Sequence, residues 1–162
     1  MDVKNLSKIK DVVNYCPESG IFTWKKKINS RCSGVGGRVG TLNKSGYLTV
    51  KIYKETYYLH RLAWLIYYGE IPVHGIDHRN GIKSDNRILN LRDIPQWANM
   101  QNTRKPRSSC GLLGASKYRG KFKAEIRVSG TKKLLGVFNT PEEAHIVYMA
   151  KKIQVHKFFY PD

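Results

Sequence analysis

Hydrophobic periodicity lapses between residues 101 and 113, and that lapse decides what the rest of the chain can build. Gln101-Asn102-Thr103-Arg104-Lys105-Pro106-Arg107-Ser108-Ser109 is polar and basic, with no apolar residue recurring at a strand or helix period. A segment of this composition reads as a connector. The 162 residues suffice for one ordinary domain or two small ones, and the lapse favours two. A first module is expected over residues 1–105, a basic linker over 106–113, and a second module over 114–162. With 41% hydrophobic residues the chain can close packed cores, which argues against global disorder.

In the first module, Leu6, Ile9, Val12 and Val13 fall at helical spacing and predict a short helix ending near Pro17. Glu18-Ser19-Gly20 reads as a turn and Ile21-Phe22-Thr23-Trp24 as a short strand. The glycines from Gly34 to Gly40 read as turns, because no Gly-Lys-Ser/Thr closes them into a phosphate loop. From Gly46 the pattern alternates, with Leu48, Val50 and Ile52 opposite Thr49, Lys51 and Tyr53, as in a strand with one buried face. A turn at Glu55-Thr56, a return strand over Tyr57-Tyr58-Leu59-His60 and a helix from Arg61 to a Gly69 cap follow.

Gly75-Ile76-Asp77-His78 then reads as a strand entering a polar loop, with Leu89-Asn90-Leu91-Arg92 as the return strand and Pro95 opening a helix that carries Asn99. In the second module, strands are expected over Gly114 to Tyr118, Phe122 to Val128 and Lys133 to Phe138, turning at Ser129-Gly130. Thr140-Pro141-Glu142-Glu143 combines an N-cap, a first-position proline and a capping-box glutamate, so a helix should run to about His156.

Lysine and arginine number 29 against 12 acidic residues, a formal net charge of +17. The excess is spread along the chain: residues 1–105 hold 18 basic and 8 acidic side chains, and residues 106–162 hold 11 and 4. Such a chain attracts polyanions, of which duplex DNA is the densest common one, although charge alone does not separate DNA from acidic lipid or ribosomal RNA. No apolar run approaches the roughly 20 residues that span a bilayer, and no secretory signal opens the chain. The expectation is a soluble cytoplasmic protein with no membrane partner. Cys16, Cys32 and Cys110 are far apart and lack zinc-ligand spacing.

The segment 75–102 carries the chemistry. Cutting a phosphodiester needs a base for water, a cation for the charge that develops on phosphate and leaving oxygen, and a frame that holds both. His78 suits the base, because imidazole titrates near neutrality. Asp77 and Asn99 offer oxygen ligands of the kind Mg²⁺ takes when water and substrate complete its shell, with Mn²⁺ as the alternative ion. Asn90 is placed to hold the loop through side-chain to backbone hydrogen bonds and so to orient His78.

His78, Asn90 and Asn99, twelve and then nine residues apart, with Asp77 before the histidine, Asn80-Gly81 after it and Asn90 between two leucines, resemble the HNH motif of phage and intron-encoded homing endonucleases. Gly46-Tyr47-Leu48, His60-Arg61-Leu62-Ala63-Trp64 and Gly69-Glu70-Ile71-Pro72 agree with phage members of that group. The resemblance covers about residues 10–105. It implies a ββα-metal nuclease fold, His78 as general base, Asp77 and Asn99 as metal ligands, and Asn90 as loop support.

Residues 111–159 resemble the APETALA-type DNA-binding domain, on Gly114-Ala115-Ser116, Phe122-Lys123-Ala124-Glu125-Ile126-Arg127, Leu135-Gly136-Val137-Phe138 and Glu142-Glu143-Ala144. That resemblance implies a small three-stranded antiparallel sheet packed on one helix, with the charged face of the sheet in the major groove. Phe122 stands where many members have tryptophan.

The expected fold class is therefore α+β, a nuclease domain followed by the small sheet domain. The expected partner is double-stranded DNA. Arg61, Arg79, Lys83, Arg104, Lys105, Arg107, Arg119, Lys121, Lys123 and Arg127 are the candidate DNA contacts. Monomer and dimer both remain open, as do a DNA-binding regulator with a decayed nuclease domain and a ribosomal or RNA-packaging protein.

Overall fold

The computed structural model describes residues 6–30, 32–106 and 108–159, and the chain divides into two compact units, Met1–Gln96 and Trp97–Asp162. The division lies upstream of the expected boundary at 105, because the segment after Gln96 packs with the C-terminal residues. Lys152 Nζ donates to the Thr103 carbonyl at 2.6 Å, the Phe158 amide to Gln101 Oε1 at 3.4 Å, and the Trp97 and Phe158 rings meet edge-on at 5.5 Å. Residues 108–113 are likewise part of this unit and not a free linker. Cys110 and Leu112 pack on its core, and Ser108 Oγ donates to the Ala115 carbonyl. Arg107 lies outside the described residues.

The first unit opens with a short helix, α1 (Leu6–Lys10), and a hairpin of β1 (Val13–Cys16) and β2 (Ile21–Trp24). The helix expected to reach Pro17 stops early. The β-branched Val13 and its successors pair with β2 in the register Val13↔Trp24 to Cys16↔Ile21, and Gly20, at φ 70°, closes the turn with its amide on the Cys16 carbonyl.

A three-stranded antiparallel sheet follows, β3 (Thr41–Leu42), β4 (Leu48–Ile52) and β5 (Glu55–Tyr58), in sequential order. Ile52 pairs with Glu55, so the turn is Tyr53-Lys54, two residues before the expected place. Tyr53 occupies the left-handed region at φ 55°, a conformation usually signalled by glycine or asparagine, and neither is present. The following helix, α2 (Leu59–Tyr68), takes in Leu59 and His60, the two residues expected to end the strand. Gly69 caps it at φ 77°, its amide on the Leu65 carbonyl. Leu59, Leu62 and Ala63 lie on one helical stripe and join Phe22, Val50 and Ile52 in the core.

A second hairpin pairs β6 (Gly75–His78) with β7 (Leu91–Ile94) in the register Asp77↔Arg92 and His78↔Leu91. Residues 88–90 form a 3-10 turn that takes in Leu89 and Asn90, both expected in the return strand, so the strand begins at Leu91. The helix α3 (Gln96–Gln101) follows directly.

The second unit holds an antiparallel sheet in the order β10-β9-β8, made of β8 (Ala115–Tyr118), β9 (Lys121–Val128) and β10 (Thr131–Phe138), packed against α4 (Pro141–Val155). Ala115, Ala124 and Ala144 are buried where sheet and helix meet, so small side chains set a close approach. A Cβ on Gly114, at φ 80°, would overlap the Tyr148 ring. The capping box is present: Thr140 Oγ1 accepts from the Glu143 amide at 3.2 Å, and Glu143 Oε2 accepts from the Thr140 amide. Among the described residues no helix is long and apolar enough to cross a membrane.

Candidate active site

The site is built on the β6–β7 hairpin and the loop that joins its strands. Asp77 and His78 end β6, at 6% and 4% exposure. Cross-strand pairing sets Asp77 opposite Arg92. Arg92 donates from Nε at 2.7 Å and from Nη2 at 2.6 Å, both to Asp77 Oδ2, and both side chains are buried. Removing one member of such a pair leaves the other charge buried, at a cost of about 3–5 kcal/mol. Arg92 thus fixes the carboxylate through one oxygen and orients the other.

Asn90 closes the loop. Its Oδ1 accepts from the Asn80 amide at 3.0 Å, its Nδ2 donates to the Asp85 carbonyl at 2.8 Å, and its own carbonyl accepts from the Arg79 amide at 2.9 Å. Within the loop, Asn80 Nδ2 donates to Asp85 Oδ2 at 2.7 Å, and Asn80 Oδ1 accepts from the Ile82 amide at 2.9 Å. Arg87 pairs with Asp85 at 2.6 Å, and its hydrogen bond is the main reason that the Asp85 carboxyl titrates below its ordinary value. Asp85 is therefore committed to the loop.

His78 faces a cluster that sequence spacing did not reveal. The His60 ring, on α2, stands 5.2 Å from it edge-on, and the Tyr47 ring 5.9 Å away. Tyr58 and Tyr47 flank His60 at 5.4 and 5.1 Å. Burial lowers the His78 pKa, partly offset by the side chain of Asn86 and the carboxylates of Asp77 and Asp85. Burial pushes His60 down to about 3, with the charges of His78 and Arg61 adding to the effect. Both rings are thereby neutral at pH 7, the state a general base requires. His60 Nδ1 is buried with no hydrogen-bond partner among the described residues. His74 is exposed beside Asp93, and His145 and His156 lie in the second unit.

The hairpin brings Asp77, His78 and Asn90 together. Asn99 is exposed on α3, in the second unit. Among the described residues no group of three or more His, Cys, Asp or Glu could hold a metal ion. The donor chemistry fits a hard divalent cation that takes one or two protein oxygens and completes its shell with water and substrate phosphate. It does not fit a soft or fully protein-caged ion.

The candidate DNA contacts fall into two groups. In the first unit, Arg79 and Lys83 are exposed on the loop and Arg61 is half-buried on α2. Lys83 Nζ donates to the Ser45 carbonyl at 3.0 Å and stands 4.7 Å over the Tyr47 ring. In the second unit, Lys121, Lys123 and Arg127 alternate on one face of β9, and Arg119 sits at the β8–β9 turn at φ 47°. Lys123 is paired with Glu125 at 2.7 Å. Lys105 is exposed, whereas Arg104 is half-buried over the Phe159 ring.

Arg92, Asn86 and His60 are the neighbours of the site that sequence reasoning did not assign to it. The strand register alone would have found Arg92, opposite Asp77.

Residues 57–101 match the family model described as HNH endonuclease. The match begins in β5 and ends with α3, and so contains the whole hairpin and its loop. It supports an HNH nuclease, for which DNA is the implied substrate and a divalent metal the general requirement. No curated protein and no solved structure matches the chain.

Proposed function

We propose that this protein is a metal-dependent, site-selective DNA endonuclease of the homing type. His78 would activate water, Asp77 would help to hold the metal, and the second unit would contribute to site choice. The observation that carries the reading is His78 itself, a buried imidazole kept neutral beside a fixed carboxylate, at the mouth of a loop stapled by Asn90. Neutral imidazole can take a proton from water at the scissile phosphate. A divalent ion, Mg²⁺ or Mn²⁺, when bound, would offset negative charge on the phosphate and leaving oxygen. Lys83, Arg79 and Arg61 lie on the loop and helix beside His78 and would take the backbone of double-stranded DNA.

In the second unit the sheet face combines basic groups with exposed Tyr118, whose ring has Arg119 and Lys123 each 5.4 Å from its centroid. Leu134 and Val137 are exposed on β10, and apolar groups of that kind can touch thymine methyls in a major groove. This supports the APETALA-type role for the sheet.

One observation favours a rival, a DNA-binding regulator with a decayed nuclease domain: Arg92 holds Asp77 Oδ2 with two donors, which competes with metal for that oxygen. Supercoiled plasmid incubated with wild type and His78→Ala, in Mg²⁺ or EDTA, separates the two. The nuclease nicks or linearises DNA only as wild type with metal, and product form tells one strand from two. Binding without cutting across several DNAs and divalent metals selects the regulator.

A further inference from the structure

His78 Nε2 stands 3.5 Å from Oδ1 of Asn86, and Asn86 is only 1% exposed. Its Nδ2 is also buried and has no hydrogen-bond partner among the described residues. An interior amide left half satisfied is a poor choice for stability. Its position against His78 offers another reason for it.

The backbone of Asn86 is fixed from outside its own loop. Tyr15 Oη donates to the Asn86 carbonyl at 2.8 Å, and the Ile88 amide donates to the Pro17 carbonyl at 3.0 Å. Gly20 lies so close that a Cβ there would stand 2.6 Å from the Asn86 carbonyl carbon. Tyr15, Pro17 and Gly20 all belong to the β1–β2 hairpin and its turn, and Phe22 stacks on the Tyr15 ring at 4.6 Å. The N-terminal hairpin therefore holds the segment that faces His78.

We infer that Asn86 is a positioning residue for His78 and that the N-terminal hairpin is its support; this rests on the nuclease reading above. A neutral imidazole carries its proton on one nitrogen and accepts at the other. An amide oxygen can only accept, so Asn86 Oδ1 selects the tautomer protonated on Nε2 and makes Nδ1 the nitrogen that receives a proton from water. The 3.5 Å separation is long, as catalytic hydrogen bonds are before substrate tightens them.

The test uses the full chain. Asn86→Ala should lower kcat roughly 10–100-fold, the usual effect of losing a group that orients a catalytic or ligating side chain, with KM for DNA unchanged. Asn86→Asp keeps an acceptor but adds a carboxylate that favours imidazolium, so at a pH where its ring is neutral it should keep the Nε2–H tautomer and cut faster than Asn86→Ala. Tyr15→Phe should lower kcat less than Asn86→Ala, again without change in KM. Long-range ¹H–¹⁵N correlations of the His78 ring at pH 8 should show the Nε2–H tautomer in wild type and a mixture in Asn86→Ala. The inference is overturned if Asn86→Ala cuts at the wild-type rate, if Asn86→Asp with its His78 ring neutral is as impaired as a folded Asn86→Ala, or if the wild-type ring carries its proton on Nδ1. Should Asn86→Ala not fold, the aspartate variant and the wild-type spectrum decide. A wild type that cuts no DNA sinks the nuclease reading instead, and the ring tautomer still reports whether Asn86 orients His78.

Discussion

Arg92 reaches across the β6–β7 hairpin and holds a single oxygen of Asp77 with two N–H donors, at 2.7 and 2.6 Å. Both side chains are buried, so neither charge can turn to water if its partner is lost. Arg92→Leu should destabilise the first unit by about 3–5 kcal/mol, read as a shift in urea midpoint. The double variant Asp77→Asn, Arg92→Leu should recover part of that loss, because no bare charge remains. A single variant as stable as wild type would mean that the pair is hydrated in solution.

The sheet of the second unit makes a separate claim. Lys121 and Arg127 alternate on one face of β9, and Arg119 lies at its edge. If this face takes the phosphate backbone, changing all three to alanine should weaken DNA binding and flatten its salt dependence. Each lost phosphate contact lowers the slope of log K against log salt by about 0.9, so the expected fall is about 3. Cleavage at saturating protein should persist. An unchanged slope would show that DNA lies elsewhere.

The second unit was largely legible because its local signals agree with its packing. Thr140 and Glu143 form the capping box, and Ser129-Gly130 make the turn that the sequence marks, with φ values of 47° and 81°. The first unit was less so. Val12 and Val13 suit a helical stripe as well as a strand, and only pairing with Trp24 decides for the strand at Val13. Tyr53 adopts a turn conformation that its residue type does not announce. Asp77, His78 and Asn90 could be named from residue type and spacing. Arg92, Asn86 and His60 could not, because their roles depend on register and on packing between α2, the loop and the hairpin, which no local pattern encodes.

The approach of Gly20 to Asn86 gives a third test. Alanine at Gly20 would meet two penalties, the positive φ of 70° and a Cβ 2.6 Å from the Asn86 carbonyl carbon. Gly36 has a similar φ of 79°, but a Cβ there would have nothing within 4 Å, so Gly36→Ala isolates the first penalty, about 1 kcal/mol. Gly20→Ala should cost more than that and also slow cleavage, whereas Gly36→Ala should cut at the wild-type rate. Equal effects of the two on melting and cleavage would mean that the hairpin turn does not press on the loop.

His60 sets the acid limit of the first unit. Its folded pKa, about 3, lies below the ordinary 6.5 because the ring is buried. Between those values the unfolded chain binds a proton that the folded chain refuses. The stability present above pH 6.5 should therefore drain away as pH falls toward 3. From pH 6.5 to 4.5 the His60 contribution is about 2–3 kcal/mol, at 1.36 kcal/mol per unit. His60→Phe keeps a ring in the cluster and removes the titration, so its urea midpoint should fall less between pH 7 and 4.5 than that of wild type. His78, shifted in the same direction, should leave a residual acid dependence in the variant. Parallel curves for the two proteins would show that His60 is solvated or partnered in solution, and the neutral two-histidine cluster would have to be abandoned.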